Sequence, residues 1–315
     1  MYRFLLFSIF LTIIVIKPIF IKSSKEGLHP YLYTGATNLS QHLVSKTDLK
    51  EKIIFLGNSS VAGSNIPKMN NISDQLNQHL TNYQSYNLGV LGASTTALLT
   101  LFKLSLKYNP KVLIIGINPG LFANNESGFL EWNNLELLKS SLPKDHIEQI
   151  QKQKDNKKLF SFFTSDSMKV AYPPVELLEL KSAIFNLKEK IYGPTMSTDI
   201  YGKKGVSILD IKTQAKQSFS VLKSLITEAK ENKIVVLAYF DPIYKSDTSF
   251  NKKDFEEFKL SVKEELVPLE VNFFDYTNSL ESNSENFLDY IHLNPAGNRR
   301  MGKIISIDLK GLGID

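Results

Sequence analysis

"KIIFLGNSSVAG", Lys52 to Gly63, decides how the chain is read. Ile53, Ile54, Phe55 and Leu56 form a continuous apolar run with no alternation. A run this short suits a strand buried on both faces, which is how strands of a parallel sheet read. Gly57, Asn58, Ser59 and Ser60 then follow. All are turn formers. A turn can be mere punctuation. A turn that delivers two serines behind a buried strand can also set one hydroxyl at the top of a sheet as a nucleophile. The rest of the chain separates these readings.

The apolar run recurs. "SYNLG" (Ser85–Gly89), "KVLIIGI" (Lys111–Ile117), "KIVVLAYF" (Lys233–Phe240) and "VNFFDY" (Val271–Tyr276) are rich in Ile, Val, Phe and Tyr. Helix-like segments lie between them, at Ile72–Leu80, Thr95–Tyr108, Ile211–Lys230 and Lys253–Leu266, and a last one follows Pro295. Strands alternating with helices in this order predict a doubly wound α/β domain around five parallel strands. One connection is too long for a simple crossover. Ile208–Lys230 reads as the crossover helix, and about Leu121 to Gly205 as an insertion. The insertion carries "LPKDHIEQIQKQK" (Leu142–Lys154) and "PPVELLELKSAIFNLKEKI" (Pro173–Ile191), both with helical spacing and proline near the start. It reads as a packed helical cap, with a lid or a surface facing membrane or polymer as the alternative.

Bulk properties narrow the chemistry. The 315 residues are 43% hydrophobic and 22% charged, values of a globular chain with a substantial core. No cysteine is present, which excludes disulfides, thiolate metal sites and a cysteine nucleophile. Net charge is +5, but the basic residues are nearly all lysine; the only arginines are Arg3, Arg299 and Arg300. Specific readers of nucleic acid favour arginine for two-pronged contacts, so a nucleic-acid partner is not expected.

The N-terminus stands apart. Phe4 to Ile16 contains only Ser8 and Thr12 as polar residues, and Ile19 to Ile21 extend the run past Lys17 and Pro18. As a helix, Phe4–Ile21 would reach about 27 Å, close to a hydrocarbon core. The expectation is a signal anchor or transmembrane helix over 1–22 and a linker or collar over 23–50. The body, 51–315, is expected outside the cytoplasm at the cell envelope, although Lys22 and Lys25 after the run and only Arg3 before it do not fix that orientation by charge. A cleaved signal peptide with a secreted body is the alternative, although "KSSKEG" offers no small-x-small site.

Ligands of an open parallel sheet bind beyond the carboxyl ends of its strands. The segments there are "GNSS" (Gly57–Ser60), "VLGAS" (Val90–Ser94), "GINPG" (Gly116–Gly120) and, before the last helix, "LDYIHLNPAG" (Leu288–Gly297). In that order they resemble the motif blocks of the SGNH, or GDSL, hydrolase family. The usual Gly-Asp-Ser appears as Gly57-Asn58-Ser59. A block glycine appears as Gly92. The usual Gly-x-Asn-Asp appears as Gly116-Ile117-Asn118-Pro119, and Asp-x-x-His as Asp289-Tyr290-Ile291-His292. Asn58 and Pro119 each replace an aspartate. The resemblance covers about Lys52–Gly120 and Lys233–Ile305. It implies a flavodoxin-like three-layer α/β/α fold with a helical insertion.

It also implies Ser59 as nucleophile, His292 as base and Asp289 as the carboxylate that orients it. The oxyanion donors would be the backbone N–H groups of Ser59 and Gly92 and the side chain of Asn118. No cofactor and no metal are implied. The residues agree independently. A serine hydroxyl needs a base to become nucleophilic. Of the five histidines, His292 has an aspartate three residues earlier, whereas His29, His42, His79 and His146 read as packing or surface residues. Ser60 is the rival nucleophile. The function implied is a serine esterase or O-acyltransferase. Its substrate would be an acyl ester, in the anchored branch of the family one on envelope polysaccharide. A simple lipid or ester hydrolase and a catalytically inactive binding or assembly module are the alternatives.

Overall fold

The computed structural model describes residues 50–63, 66, 70–90, 92–123, 131, 134–163, 208–244, 252–280, 285–288 and 291–315. The expected anchor, the collar before Lys50, the segment Pro173–Ile191 and Asp289 lie outside the described residues. Among the described residues no helix is long and apolar enough to cross a membrane.

Five strands form one sheet: β1 (Glu51–Leu56), β2 (Tyr83–Asn87), β3 (Val112–Ile117), β4 (Val235–Phe240) and β5 (Asn272–Asp275). Their order is β2-β1-β3-β4-β5 and every pairing is parallel. This is the doubly wound arrangement that the apolar runs predicted. The central strand β3 is buried along its whole length, which is why its six residues show no polar alternation.

Side chains of successive strand residues point to opposite faces. Ile54 and Leu56 of β1 meet Leu113, Ile115 and Ile117 of β3 on one face. Ile53 and Phe55 join Val112 and Ile114 on the other. The first face is covered by α3 (Thr95–Ser105), α7 (Ile208–Glu231) and α8 (Lys252–Leu266), with Leu98, Phe102, Leu222, Ile226 and Phe258 in its core. The second is covered by α1 (Ser59–Ala62), α2 (Ile72–Leu76) and α9 (Pro295–Gly311), through Val61, Leu76, Met301 and Ile305. Three described helices, α4 (Pro119–Ala123), α5 (Leu135–Leu138) and α6 (Lys144–Phe163), lie between β3 and α7. Leu138, Leu142 and Ile150 are buried in the first core, so this part of the insertion is packed on the domain.

Strand β4 begins two residues later than the sequence suggests. Lys233 takes φ +58° and its N–H bonds back to Lys230, closing α7 and leaving Val235 as the first strand residue. At the carboxyl edge, β2 runs on close beside α1. The Leu88 and Val90 N–H groups reach the Phe55 and Gly57 carbonyls at 2.8 and 3.0 Å. Gly89 makes this approach possible, since a Cβ there would lie 2.4 Å from the Ala62 nitrogen. Gly89→Ala is therefore expected to overpack the junction, at a cost of about 1–3 kcal/mol. A thermal melt should show a clearly lowered Tm. An unchanged Tm would mean that the junction is not tight.

Candidate active site

Ser59 is the first residue of α1, directly after the Gly57–Asn58 turn. Asn58 caps this short helix: its side-chain oxygen accepts the Ser60 N–H at 3.2 Å, and its carbonyl accepts the Ala62 N–H at 2.9 Å. Such caps satisfy donors that a helix start leaves unpaired. The far side is held by Asn87, whose Nδ2 donates to the Val61 carbonyl at 2.6 Å. The turn thus rests on β2 as well as on β1.

His292 arrives from the loop between β5 and α9. Phe287 and Leu293 form an antiparallel bridge, and the Leu288 N–H reaches the His292 carbonyl at 2.7 Å. Asn286, Phe287 and Leu293 are buried beneath this small loop. Asn294 then caps α9 by accepting the Gly297 N–H at 2.9 Å, with Pro295 at the first helical position. Arg300 donates to Asn286 at 2.8 Å and ties the loop to α9. The result is that His292 Nε2 stands 2.8 Å from Ser59 Oγ, across 233 residues of sequence. With Nε2 unprotonated, the Ser59 hydroxyl donates to it. This is the geometry of a nucleophile and its base.

Behind Ser59 lies a buried polar network that sequence reading did not anticipate. Leu56, Ile115 and Ala238 sit in one row across β1, β3 and β4. Just beyond that row come Asn58, Asn118 and Asp241. Asn58 and Asn118 exchange amide hydrogen bonds, at 2.6 Å from Asn58 Nδ2 and 2.9 Å from Asn118 Nδ2. Asn118 Nδ2 also meets Ser60 Oγ at 2.9 Å and Asp241 Oδ2 at 2.7 Å. Ser60 Oγ donates to Asn58 Oδ1 at 3.0 Å. The amide nitrogen carries two hydrogens. Three oxygens therefore share the donors of Asn118, which is only 2% exposed. Ser60 is part of this network, turned inward and 8% exposed.

Asp241 is the missed residue. It follows β4, its own N–H bonds to the Ile117 carbonyl at 3.1 Å, and its exposure is 2%. Burial raises its carboxyl to about 6, against the pull of the Asn118 amide, the nearby Ser60 hydroxyl and the charge of His292. Oδ1 of Asp241 has no hydrogen-bond partner among the described residues. The signal in sequence was "AYFDPIY" (Ala238–Tyr244), a charged residue at the carboxyl end of a buried strand, where ligand chemistry collects.

Of the other predicted site residues, Gly92 lies in the loop between β2 and α3 with φ +62°, a conformation that suits glycine. Asp289 lies outside the described residues. His146 is buried on α6, with Nε2 3.4 Å from Thr96 Oγ1, and desolvation holds it below the usual histidine range. Among the described residues no cluster of three or more His, Cys, Asp or Glu is placed to hold a metal ion.

No family model and no curated protein matches the chain. Solved structures do resemble it. A GDSL-like lipase from Bacteroides thetaiotaomicron is 12% identical, with 90% of this chain and 98% of that one covered and a TM-score of 0.44. A lipase/acylhydrolase from Enterococcus faecalis is 12% identical, with 83% and 96% covered and a TM-score of 0.45. A family two carbohydrate esterase from Clostridium thermocellum, in complex with cellohexaose, is 11% identical, with 85% and 66% covered and a TM-score of 0.46. Identities this low leave the chemistry of the site to its own geometry.

The buried carboxylate has a consequence for stability. Its folded pKa, about 6, lies above the ordinary aspartate value of 3.8. Between these values the folded chain holds the proton more tightly, so stability falls as pH rises from about 4 to 6. Above that window the penalty is constant, of the order of 3 kcal/mol. Asp241→Asn removes it. The variant should melt above wild type at pH 8, and the gap should narrow toward pH 4. A gap that is absent or independent of pH would show that Asp241 is not held in this way.

Proposed function

We propose that the chain is a serine hydrolase that cleaves acyl esters, with Ser59 as nucleophile and His292 as general base. The observation that carries this reading is the 2.8 Å contact between Ser59 Oγ and His292 Nε2. Ser59 Oγ attacks the ester carbonyl carbon as its proton passes to Nε2. The tetrahedral intermediate collapses, the bond to the alcohol oxygen breaks, and His292 returns the proton to the departing alkoxide. Water, or the hydroxyl of an acceptor, then attacks the acyl-Ser59 ester. Its proton travels through His292, and Ser59 is regenerated.

Within the same proposal Asp289 orients the imidazole. The backbone N–H groups of Ser59 and Gly92 receive the oxyanion. Asn118, expected from sequence as a third donor, is 2% exposed with its amide nitrogen turned to Asn58, Ser60 and Asp241, so within this proposal it braces the turn that presents Ser59. The finer reading is hydrolysis or transfer of O-acyl groups on an envelope carbohydrate. It is supported by layout: an anchor-like run at Phe4–Ile21 precedes the domain, and a helical insertion, whose described part packs in the first core, separates β3 from α7.

Steady-state kinetics on an aryl ester near neutral pH test the core of this reading. Ser59→Ala should remove turnover. His292→Ala should nearly do so, and the double variant should be little worse than either, because members of a catalytic unit are strongly non-additive. Adding a carbohydrate acceptor should accelerate release of the alcohol if the acyl group is transferred. Wild-type turnover in Ser59→Ala would end the serine-hydrolase reading; rates indifferent to every acceptor would leave plain hydrolysis.

A further inference from the structure

We propose that Asp241 is a positioning residue for this reaction: its carboxylate anchors the Asn118 amide and, through Asn58 and Ser60, the turn that presents Ser59. The inference rests on the serine-hydrolase reading and adds to it a residue from β4, a strand that contributes neither the nucleophile nor the base.

Four observations lead there. Asp241 is 2% exposed, so it cannot touch a substrate in the open site. Its Oδ2 takes a 2.7 Å hydrogen bond from Asn118 Nδ2, a charge-assisted contact when the carboxyl is ionised. The same Nδ2 reaches Asn58 and Ser60, the two residues that flank Ser59. Finally, the charge of His292 reaches Asp241 and favours its ionised form. Proton transfer from Ser59 makes His292 cationic, and a fixed negative charge behind the turn favours that state. A buried carboxylate with one oxygen unpartnered among the described residues is costly for the fold. Residues that weaken a fold at a site are commonly retained for what they do there.

The groups facing Asp241 decide how its action shows itself. The titratable ones are His292 and Tyr239. Burial of the Tyr239 ring and the Asp241 charge both hold the phenol well above its ordinary range, so it stays neutral at working pH. His292 must be neutral to act as base, and Asp241 must be ionised to hold Asn118 firmly. Loss of activity on acidification then includes protonation of Asp241.

The test compares full-length wild type with Asp241→Asn, Asp241→Ala and Ser59→Ala, using an aryl ester across about pH 4.5–8.5. Asp241→Asn keeps the shape and one acceptor, so it remains informative if Asp241→Ala does not fold. In Asp241→Asn, kcat should fall roughly 10- to 100-fold, the scale of a slightly misplaced reacting group, with KM little changed. Below pH 6 log kcat/KM should fall more steeply with acidification in wild type than in Asp241→Asn, because the variant no longer takes up the proton at position 241. If Ser59→Ala is dead while Asp241→Asn keeps wild-type kcat and slope, the role given to Asp241 is overturned and the serine-hydrolase reading stands. If Ser59→Ala retains activity, the reading itself has failed.

Discussion

One buried amide holds the candidate site together. Asn118 stands at the end of β3 and bonds to Asn58 beyond β1, to Ser60 on α1 and to Asp241 beyond β4. A parallel sheet makes this possible, since neighbouring strands lie about 4.8 Å apart and all end on the same edge. Three loops that are distant in sequence therefore open side by side. Without a shared partner each would be free to take its own course. An amide that offers donors and an acceptor at once fixes their relative positions. It also satisfies polar groups that would otherwise be buried without partners.

The catalytic pair depends on that frame. Ser59 is the residue between two members of the network, Asn58 and Ser60, so its hydroxyl is aimed by what its neighbours do inside the protein. His292 is held independently, by the Phe287–Leu293 bridge and the capped start of α9. The two supports meet in the 2.8 Å contact. A change in either would shift one partner of the pair against the other. The cost of this precision is a carboxylate inside the fold, raised to about 6 by burial. A neutral isostere would serve stability better, so the charge is understood through the reaction that it supports.

Much of this was legible in the sequence. The five apolar runs overlap the five strands: β1, β3 and β4 lose polar alternation because they are buried on both faces, whereas the edge strands β2 and β5 are only partly buried and β2 begins two residues before its run. The boundary at Lys233 was missed for a local reason: a left-handed residue ends α7 there, and lysine gives no hint of positive φ. Ser59 and His292 were readable because each belongs to a short local pattern. Asp241 was not. Its partners come from other strands, and no spacing along the chain records that Asn58, Asn118 and Asp241 meet. Ser60 shows the same limit. It was weighed as a rival nucleophile, yet its hydroxyl is spent on Asn58 and Asn118.

The central claim is that Ser59, aimed by this network, is the nucleophile. The most direct measurement is to treat the folded protein with a fluorophosphonate and locate the adduct by fragmenting the peptide that carries both serines. A single phosphonyl group on Ser59, absent when the protein is unfolded before treatment, is the expected result. An adduct on Ser60, or none on either serine in the folded protein, would contradict it.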